Sequence, residues 1–105
     1  MTGVPPTSEQ AAVGARPQLL FFYSATSGRS RRVEGFMAQV LQRRRNHDTF
    51  ELLRIAAEEH PDLLQRFKIV ETPALVVVSE RRVQARLVNP SGAAPIATLL
   101  EPWLK

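Results

Sequence analysis

A cluster of serines and arginines with the sequence S-G-R-S-R-R occupies positions 27–32. An amphipathic run follows it, so we expect the cluster at a helix N-terminus, where backbone N–H groups lack intrahelical partners. Ser27 or Ser30 is suited to cap that terminus. Beside those amides, Arg29, Arg31 and Arg32 form a candidate site for phosphate, sulfate or a carboxylate. Exposed arginines that bind no ligand are the simpler alternative.

A serine nucleophile at Ser27 would need a general base within hydrogen-bonding distance and an acid that orients the base. The chain has two histidines, His47 and His60. We expect His47 at the far end of the sheet, and His60 at the same edge as Ser27 but without an acid clearly placed behind it. We therefore interpret Ser27 as a capping serine and predict no catalytic residue.

Several potential metal ligands follow one another closely before a predicted short helix, namely Glu58, Glu59, His60 and Asp62. Their spacing is not that of a zinc site or of a site for a hard cation. We interpret them as the solvated start of the helix, and predict neither a metal nor a cofactor.

A predicted strand and a predicted helix position the serine and arginine cluster. The large apolar residues of Leu19–Tyr23 are typical of a buried strand. After a polar turn at residues 24–28, apolar residues at helical spacing predict a helix from Arg29 or Ser30 to Arg45, ended by Asn46. A strand that continues into a helix through a short turn is the first half of a βαβ unit.

The rest of the chain predicts three further strands and two helices. Phe50–Ala56 is expected to pair in parallel with the first strand, because a helix-long crossover separates the two. A short helix at residues 61–67, an apolar central strand at Ala74–Val78 and an alternating edge strand at Val83–Val88 follow. The last predicted helix is Ala94–Leu104, in which Pro102 should distort the final turn.

The order strand, T-S-G-R-S, helix resembles the thioredoxin family, which has W-C-G-P-C at the same junction. In this alignment Thr26 replaces the tryptophan, and Ser27 and Ser30 replace the cysteines. The segment Glu71-Thr72-Pro73-Ala74, followed by an apolar strand, is similar to the family's cis-proline loop. The resemblance covers residues 18–105 and implies a thioredoxin-like α/β fold. That fold has three α/β/α layers, a central mixed sheet of about four strands, and the order β-α-β-α-β-β-α.

The family's chemistry is not expected here, because the chain contains no cysteine. Thiol–disulfide exchange needs an attacking thiolate and a second sulfur, and serine supplies neither. The family also carries a buried aspartate in the strand before the active site, and Phe21 occupies that position. Without thiols, an apolar residue is more stable there than an unpaired carboxylate. We therefore predict a domain without disulfide reductase activity.

The resemblance implies a binding surface that does not depend on sulfur. In the family, backbone groups of the residue before the cis-proline, here Thr72, pair with an extended segment of a partner, which is a form of β-augmentation. This gives the predicted function: a module that binds a protein or extended peptide through the former active-site edge, with the arginines selecting acidic segments. The alternative is an enzyme or binder of a small anionic ligand, either a phosphorylated metabolite or a glutathione-like molecule. The predicted binding residues are Thr26, Ser27, Gly28, Arg29, Ser30, Thr72 and Pro73.

Length and charge set the remaining expectations. The 105 residues suffice for one domain at residues 18–105, preceded by a Pro-, Gly- and Ala-rich tail at residues 1–17 that we expect to be mobile, with a possible short helix at residues 8–13. The net charge of +4 comes from 12 arginines and 2 lysines and is too modest to favour nucleic acid. No membrane span and no secretory signal are visible, so we expect a cytoplasmic protein.

Overall fold

The computed structural model describes residues 16–104, without the side chains of residues 44, 45 and 47. Most of the predicted mobile tail, residues 1–17, and the possible helix at residues 8–13 therefore lie outside the described residues. The carbonyl oxygen of Pro17, at the end of that tail, accepts a hydrogen bond of 2.9 Å from the backbone N–H of Glu51. The chain is thus already tied to the sheet one residue before the first strand begins.

Within the described range the chain forms four strands, three α-helices and two 3-10 helices. The strands are β1 (Gln18–Tyr23), β2 (Glu51–Ala56), β3 (Ala74–Ser79) and β4 (Arg82–Val88). The α-helices are α1 (Gly28–Gln42), α2 (Pro61–Arg66) and α3 (Ala93–Leu100), and the 3-10 helices are Arg43–Asp48 and Glu101–Trp103. No helix among these is both long enough and apolar enough to span a membrane.

The four strands form one mixed sheet in the order β2-β1-β3-β4. Strand β1 pairs in parallel with β2, as predicted from the helical crossover, and antiparallel with β3. Strands β3 and β4 pair as an antiparallel hairpin. This arrangement of strands and helices confirms the predicted thioredoxin-like α/β fold.

Helices cover both faces of the sheet, which gives the three layers. Alternate residues of a strand point to opposite faces, so β1 contributes to two cores. Leu19 and Phe21 pack with α1 and α3, whereas Leu20 and Phe22 pack on the side of the short helix α2. Phe21 has no exposed surface, and its ring stacks on that of Tyr23 with centroids 5.6 Å apart. An apolar side chain therefore fits this position, which lies inside the core between the sheet and the helices α1 and α3.

The first helix ends earlier than predicted. The α-helix stops at Gln42 rather than at Arg45, and a 3-10 helix carries the chain to Asp48. Arg43 leaves the helical conformation, and buried Asn46 stabilises this earlier end, because its side-chain amide donates a 2.6 Å hydrogen bond to the carbonyl oxygen of Arg43. An asparagine side chain that bonds to nearby backbone competes with α-helical hydrogen bonds. The interpretation of residues 43–45 as the last turn of an α-helix is therefore wrong.

The β3–β4 hairpin has a two-residue turn, since Ser79 pairs with Arg82. Both residues between them have positive φ, 55° at Glu80 and 65° at Arg81. Positive φ at both central positions is the type I′ conformation, which follows the twist of the strands but is usually occupied by asparagine and glycine. Each strand is one residue longer at this end than predicted.

The last α-helix is shorter than predicted, Ala93–Leu100 instead of Ala94–Leu104. A 3-10 turn that includes Pro102 follows it. Proline lacks the N–H that an α-helical interior needs, so the predicted distortion of the final turn is confirmed. This turn places Trp103 edge-on against Phe50, with ring centroids 6.3 Å apart.

Candidate functional site

The candidate site lies where β1, β2 and β4 end and β3 begins, so the edge meant here is the one formed by strand ends. Four chain segments meet there. Tyr23, the last residue of β1, pairs with Ala56, the last residue of β2. On the other side of β1, Phe22 pairs with Ala74, the first residue of β3, and Ala74 pairs with Val88, the last residue of β4. The β1–α1 turn, the loop after β2, the segment before β3 and the loop after β4 therefore all lie at this edge.

The two serines stabilise the junction between the β1–α1 turn and the helix. Ser27 has an extended backbone conformation and caps α1, because its hydroxyl oxygen accepts a 3.2 Å hydrogen bond from the N–H of Ser30. The hydroxyl oxygen of Ser30 accepts a 3.0 Å hydrogen bond from the N–H of Ser24. Of the two candidates for the helix cap, the structure selects Ser27.

The residues predicted to bind differ in their accessibility. Ser30 is only 2% exposed, so it lies behind the surface and supports it from within. Thr26, Gly28 and Arg29 are exposed, and Ser27 is half-buried. A ligand at this edge would therefore contact the outer residues of the turn and not Ser30.

The cis-proline loop and the first turn of α1 are connected through Asn89. The Asn89 N–H donates a 2.8 Å hydrogen bond to the carbonyl oxygen of Pro73, and its side-chain oxygen accepts a 2.9 Å hydrogen bond from the guanidinium of Arg29. Asn89 itself has a positive φ of 49°, a conformation that asparagine tolerates better than most residues. The structure thus brings Arg29 and Pro73 to the same part of the edge.

The Thr72–Pro73 peptide bond is cis. Pro73 is buried, whereas Thr72 is half-buried and precedes the first residue of β3 by two positions. Among the described residues, neither the N–H nor the C=O of Thr72 has a hydrogen-bond partner. Val70, two residues earlier, is 97% exposed. Unpaired backbone groups and an exposed apolar side chain therefore lie together in this segment.

The three arginines of the predicted anion site do not form one pocket. Arg29 reaches Asn89, as described above. Arg31 lines a shallow depression of about 200 Å³ that also includes Tyr23, Ser24, Ala25, Ser30, Glu34 and Arg54. Arg32 lies three residues after Arg29 and so on the same side of the helix as Arg29, away from Arg31. Arg29 and Arg31 therefore lie on different sides of the first turn.

The depression beside Arg31 contains its own ion pair. Arg54 of β2 and Glu34 of α1 approach to 2.9 Å, and the guanidinium of Arg54 lies 5.3 Å from the centroid of the Tyr23 ring. Both charged side chains are substantially exposed, so the pair contributes at most about 1 kcal/mol to stability. Since Glu34 already neutralises Arg54, the depression offers Arg31 as its one cation without an ion-pair partner among the described residues.

Glu58 contacts the β1–α1 turn, a role that its place in the predicted solvated helix start did not indicate. Its carboxylate accepts hydrogen bonds from the hydroxyl of Ser24 and from the N–H of Ala25, the latter at 3.3 Å. The hydrogen bond from Ser24, followed by those from backbone amides, lowers the pKa of Glu58 below its ordinary value of 4.5. The parallel pairing of Tyr23 with Ala56 is the signal that could have located it, because it puts the residues after β1 beside those after β2.

The remaining polar residues after β2 do not form a centre. Glu59, His60 and Asp62 are exposed. No three His, Cys, Asp or Glu side chains in the described part of the chain are grouped so that they could hold a metal ion. His60 precedes Pro61 at the start of α2 and makes no side-chain hydrogen bond there. As for the nucleophile considered at Ser27, its oxygen serves as the helix cap.

No protein-family profile matches the sequence, and no curated protein is significantly similar to it. Solved structures do match. The protein Trxlp from Edwardsiella tarda superposes with a TM-score of 0.76 at 15% identity, covering 90% of each chain. A mutant thioredoxin from Halobacterium salinarum gives 0.74 at 14% identity over 93% of this chain and 83% of its own. Thioredoxin from Fasciola hepatica gives 0.71 at 9% identity, over 85% and 82%.

Identities this low establish the backbone architecture and leave the activity open. The same architecture hosts unrelated functions, so function must be argued from the site itself. The match spans nearly the whole length of these chains, and the strand order and the helices on both faces agree with it. The chain therefore has the thioredoxin fold, in a form without cysteine.

Proposed function

We propose that this chain is a redox-inactive thioredoxin-fold module that binds an extended peptide segment of another protein. The binding surface consists of Thr26–Arg29 together with Thr72 and the edge of Pro73. The observation that carries the proposal is the unpaired backbone of Thr72, which lies just before β3, where the strand ends of the sheet are exposed. A polar backbone group near a folded core is normally hydrogen-bonded, so two unpaired groups just beyond the start of β3 favour pairing with an extended partner segment.

Redox inactivity follows from the absence of cysteine, since disulfide exchange needs sulfur at both positions. The serines at those positions have structural roles instead. Ser27 accepts a hydrogen bond from Ser30, and Ser30 accepts one from Ser24. These hydrogen bonds hold the β1–α1 turn in place, and without thiols this surface would act on a partner by binding alone.

The segment around Thr72 is preorganised for binding. The hydrogen bond from Asn89 to Pro73 fixes the position from which the Thr72 groups extend. Binding to a fixed segment costs less conformational entropy than binding to one that must first become ordered. The exposed Val70 offers an apolar contact beside the backbone groups, as alternate side chains do in strand addition.

The charge near this edge favours an acidic segment. Arg29 and Arg31 are exposed in the first turn of α1 and have no acidic partner among the described residues. Complementary charge accelerates association and selects partners more than it adds affinity. A small anionic ligand is less well supported, because the Arg29 guanidinium is hydrogen-bonded to Asn89 whereas Arg31 lines a separate depression, so the two do not share one pocket.

The proposal can be tested with peptides selected from a random library displayed on phage. We expect the wild-type chain to select extended, acidic sequences. Thr72→Trp should weaken a selected peptide at least about tenfold, by filling the space that the peptide backbone occupies. Thr98→Trp is the matched control, since Thr98 is an exposed threonine on α3. Equal loss in both variants, or selection of no peptide by the wild type, would overturn the proposal.

The alternative and the redox claim are tested separately. Thermal unfolding in the presence of phosphate or glutathione should show no specific stabilisation, whereas a tight small ligand would raise the midpoint. Catalysis of insulin reduction by dithiothreitol should be absent. Stabilisation by either small molecule, lost on Arg29→Ala, would favour the anionic-ligand function over the peptide-binding one.

A further inference from the structure

Strand β4 is the last strand of the sheet and has an open outer edge over the described residues. The N–H of Asn89 points inward, to Pro73 on the β3 side. In an antiparallel pair, successive residues alternate between bonding to the neighbour and facing away from it. The backbone groups of Val88 and Arg86 therefore face outward, where an additional strand could pair with them.

The short helix α2 leaves part of this strand uncovered. Val83 pairs with Val78 and Val88 pairs with Ala74, so all four side chains lie on the α2 face of the sheet. Helix α2 spans only six residues and packs on the core of that face. Val83 is 43% exposed and Val88 is 42% exposed. Two apolar side chains thus remain accessible along the open edge.

Arg86 lies between these two valines on the same face. It pairs with Val76, which belongs to the α2 side of the core, and its guanidinium donates a 3.0 Å hydrogen bond to the carbonyl oxygen of Phe67. A guanidinium has five N–H donors, so Arg86 keeps further donors for a ligand. The face of β4 toward α2 therefore presents an apolar, a cationic and a second apolar side chain in succession.

The charged side chains of strand β4 are all positive. Arg81, Arg82 and Arg86 are exposed, and none of them forms an ion pair with a described residue. The nearest acidic residue along the chain is Glu80 in the turn. An added strand would therefore meet positive charge at Arg86 and again at the turn end of β4.

The arginines distinguish between the possible occupants of the edge. A second copy of this chain would pair arginine-bearing strands with one another, and like charges that face each other across strands are destabilising. Charged side chains protect an edge strand against such pairing. They do not protect it against a strand of the opposite sign, for which both the charges and the unpaired backbone groups are complementary.

We propose that the outer edge of β4 is a second interaction surface, which binds an extended acidic segment of another protein as a fifth strand. On the side toward α2, the segment carries a carboxylate that pairs with Arg86. Apolar side chains two positions before and after this carboxylate contact Val83 and Val88. Val83 lies three residues before Arg86, but a bulge in β4 opposite Val77 and Val78 places it two pairing positions away, since Arg86 pairs with Val76 and Val83 with Val78. This surface begins beside the cis-proline loop, since Val88 pairs with Ala74, but its binding does not depend on the function proposed at Thr72.

A fluorescent peptide with the sequence Glu-Val-Thr-Glu-Thr-Val-Glu, as long as β4, tests this surface by fluorescence anisotropy. We expect Val88→Asp to lower its affinity at least about tenfold. Leu52→Asp is the matched control, because Leu52 is 39% exposed on β2, the strand at the other end of the sheet. All of these affinities are measured in the Thr72→Trp background, so that the surface at Thr72 does not bind the acidic peptide, and Leu52→Asp should leave the affinity unchanged. Binding should also slow hydrogen exchange at the amides of Arg86 and Val88.

A charge swap provides the second variant. Arg86→Glu should weaken the glutamate peptide and strengthen the peptide in which lysine replaces each glutamate. Equal effects of Val88→Asp and Leu52→Asp, or equal binding of both peptides to the chain with Thr72→Trp alone, would overturn the proposal. An oligothymidylate of equal charge that competes as well as the glutamate peptide would also overturn it, because the site would then recognise negative charge without a strand.

Discussion

The guanidinium of Arg29 donates a 2.9 Å hydrogen bond to the side-chain oxygen of Asn89, a residue 60 positions away in sequence. The same asparagine donates its backbone N–H to Pro73. One residue after β4 thus connects the first turn of α1 to the cis-proline loop. The geometry of the candidate site depends on this connection, which gives the first prediction.

We expect Asn89→Ala to destabilise the fold more than Asn89→Gly. Both variants lose the hydrogen bond from Arg29, which contributes about 0.5–1.5 kcal/mol. Only alanine also suffers from the positive φ of 49°, at an additional cost of about 1 kcal/mol. Urea unfolding measures both differences. Equal stability of the two variants would contradict the positive φ at this position.

The hairpin turn offers a stabilising change. Replacing Glu80 with Asn and Arg81 with Gly should raise the free energy of unfolding by about 1–2 kcal/mol, because asparagine and glycine suit the type I′ conformation of this turn. The measurement is the midpoint of thermal or urea unfolding. Glu80→Ala with Arg81→Ala is the control and should give no increase, since alanine relieves neither positive φ.

Glu58 gives the fold a dependence on pH. Its pKa in the folded chain lies below the ordinary 4.5, so the unfolded chain takes up the proton first as the pH falls. The stabilisation is therefore present above the unfolded pKa and is lost as the pH falls through the folded value. We expect Glu58→Gln to be less stable than wild type at neutral pH and to differ little in strong acid.

Urea unfolding at a series of pH values measures this difference. Glu59→Gln is the matched control, because Glu59 is exposed beside Glu58 and accepts no hydrogen bond from Ser24. A constant gap between wild type and Glu58→Gln at every pH would show that the ionised carboxylate is not what holds the β1–α1 turn.

Phe21→Asp would restore the carboxylate that the resemblance associates with thiol chemistry, and we expect it to unfold or nearly unfold the chain. Phe21 has no exposed surface and stacks on Tyr23. The change removes a large apolar side chain, at a cost of about 3–5 kcal/mol, and buries a carboxylate without a partner. Phe21→Leu, a milder change, should remain folded. Circular dichroism during thermal unfolding measures both.

The apolar patterns predicted the order of strands and helices well. A run such as Leu19–Tyr23 has few alternatives to a buried strand, and a helix-long crossover makes the next strand parallel. The ends of elements were predicted less well, because single side chains decide them. Asn46 stabilises the early end of α1 through a hydrogen bond to Arg43 that no hydrophobic pattern reveals.

The candidate site was predicted in outline but not in detail. The positions of Ser27 and Thr72 follow from the strand and helix order. The exposure of Val70 and the hydrogen bonds to Glu58 depend on how loops from separate strands meet at one edge. Contacts between separate loops arise from tertiary packing, and the spacing of residues within one segment does not predict them.

The inward hydroxyl of Ser30 limits which side chains position 30 can accept. It accepts the Ser24 amide proton at 3.0 Å in a position that is almost closed to water. A thiol is a weak acceptor, so cysteine there would deprive that amide of a good partner. A Ser30→Cys variant would therefore lose stability, and its buried sulfur would be almost closed to reagents in water.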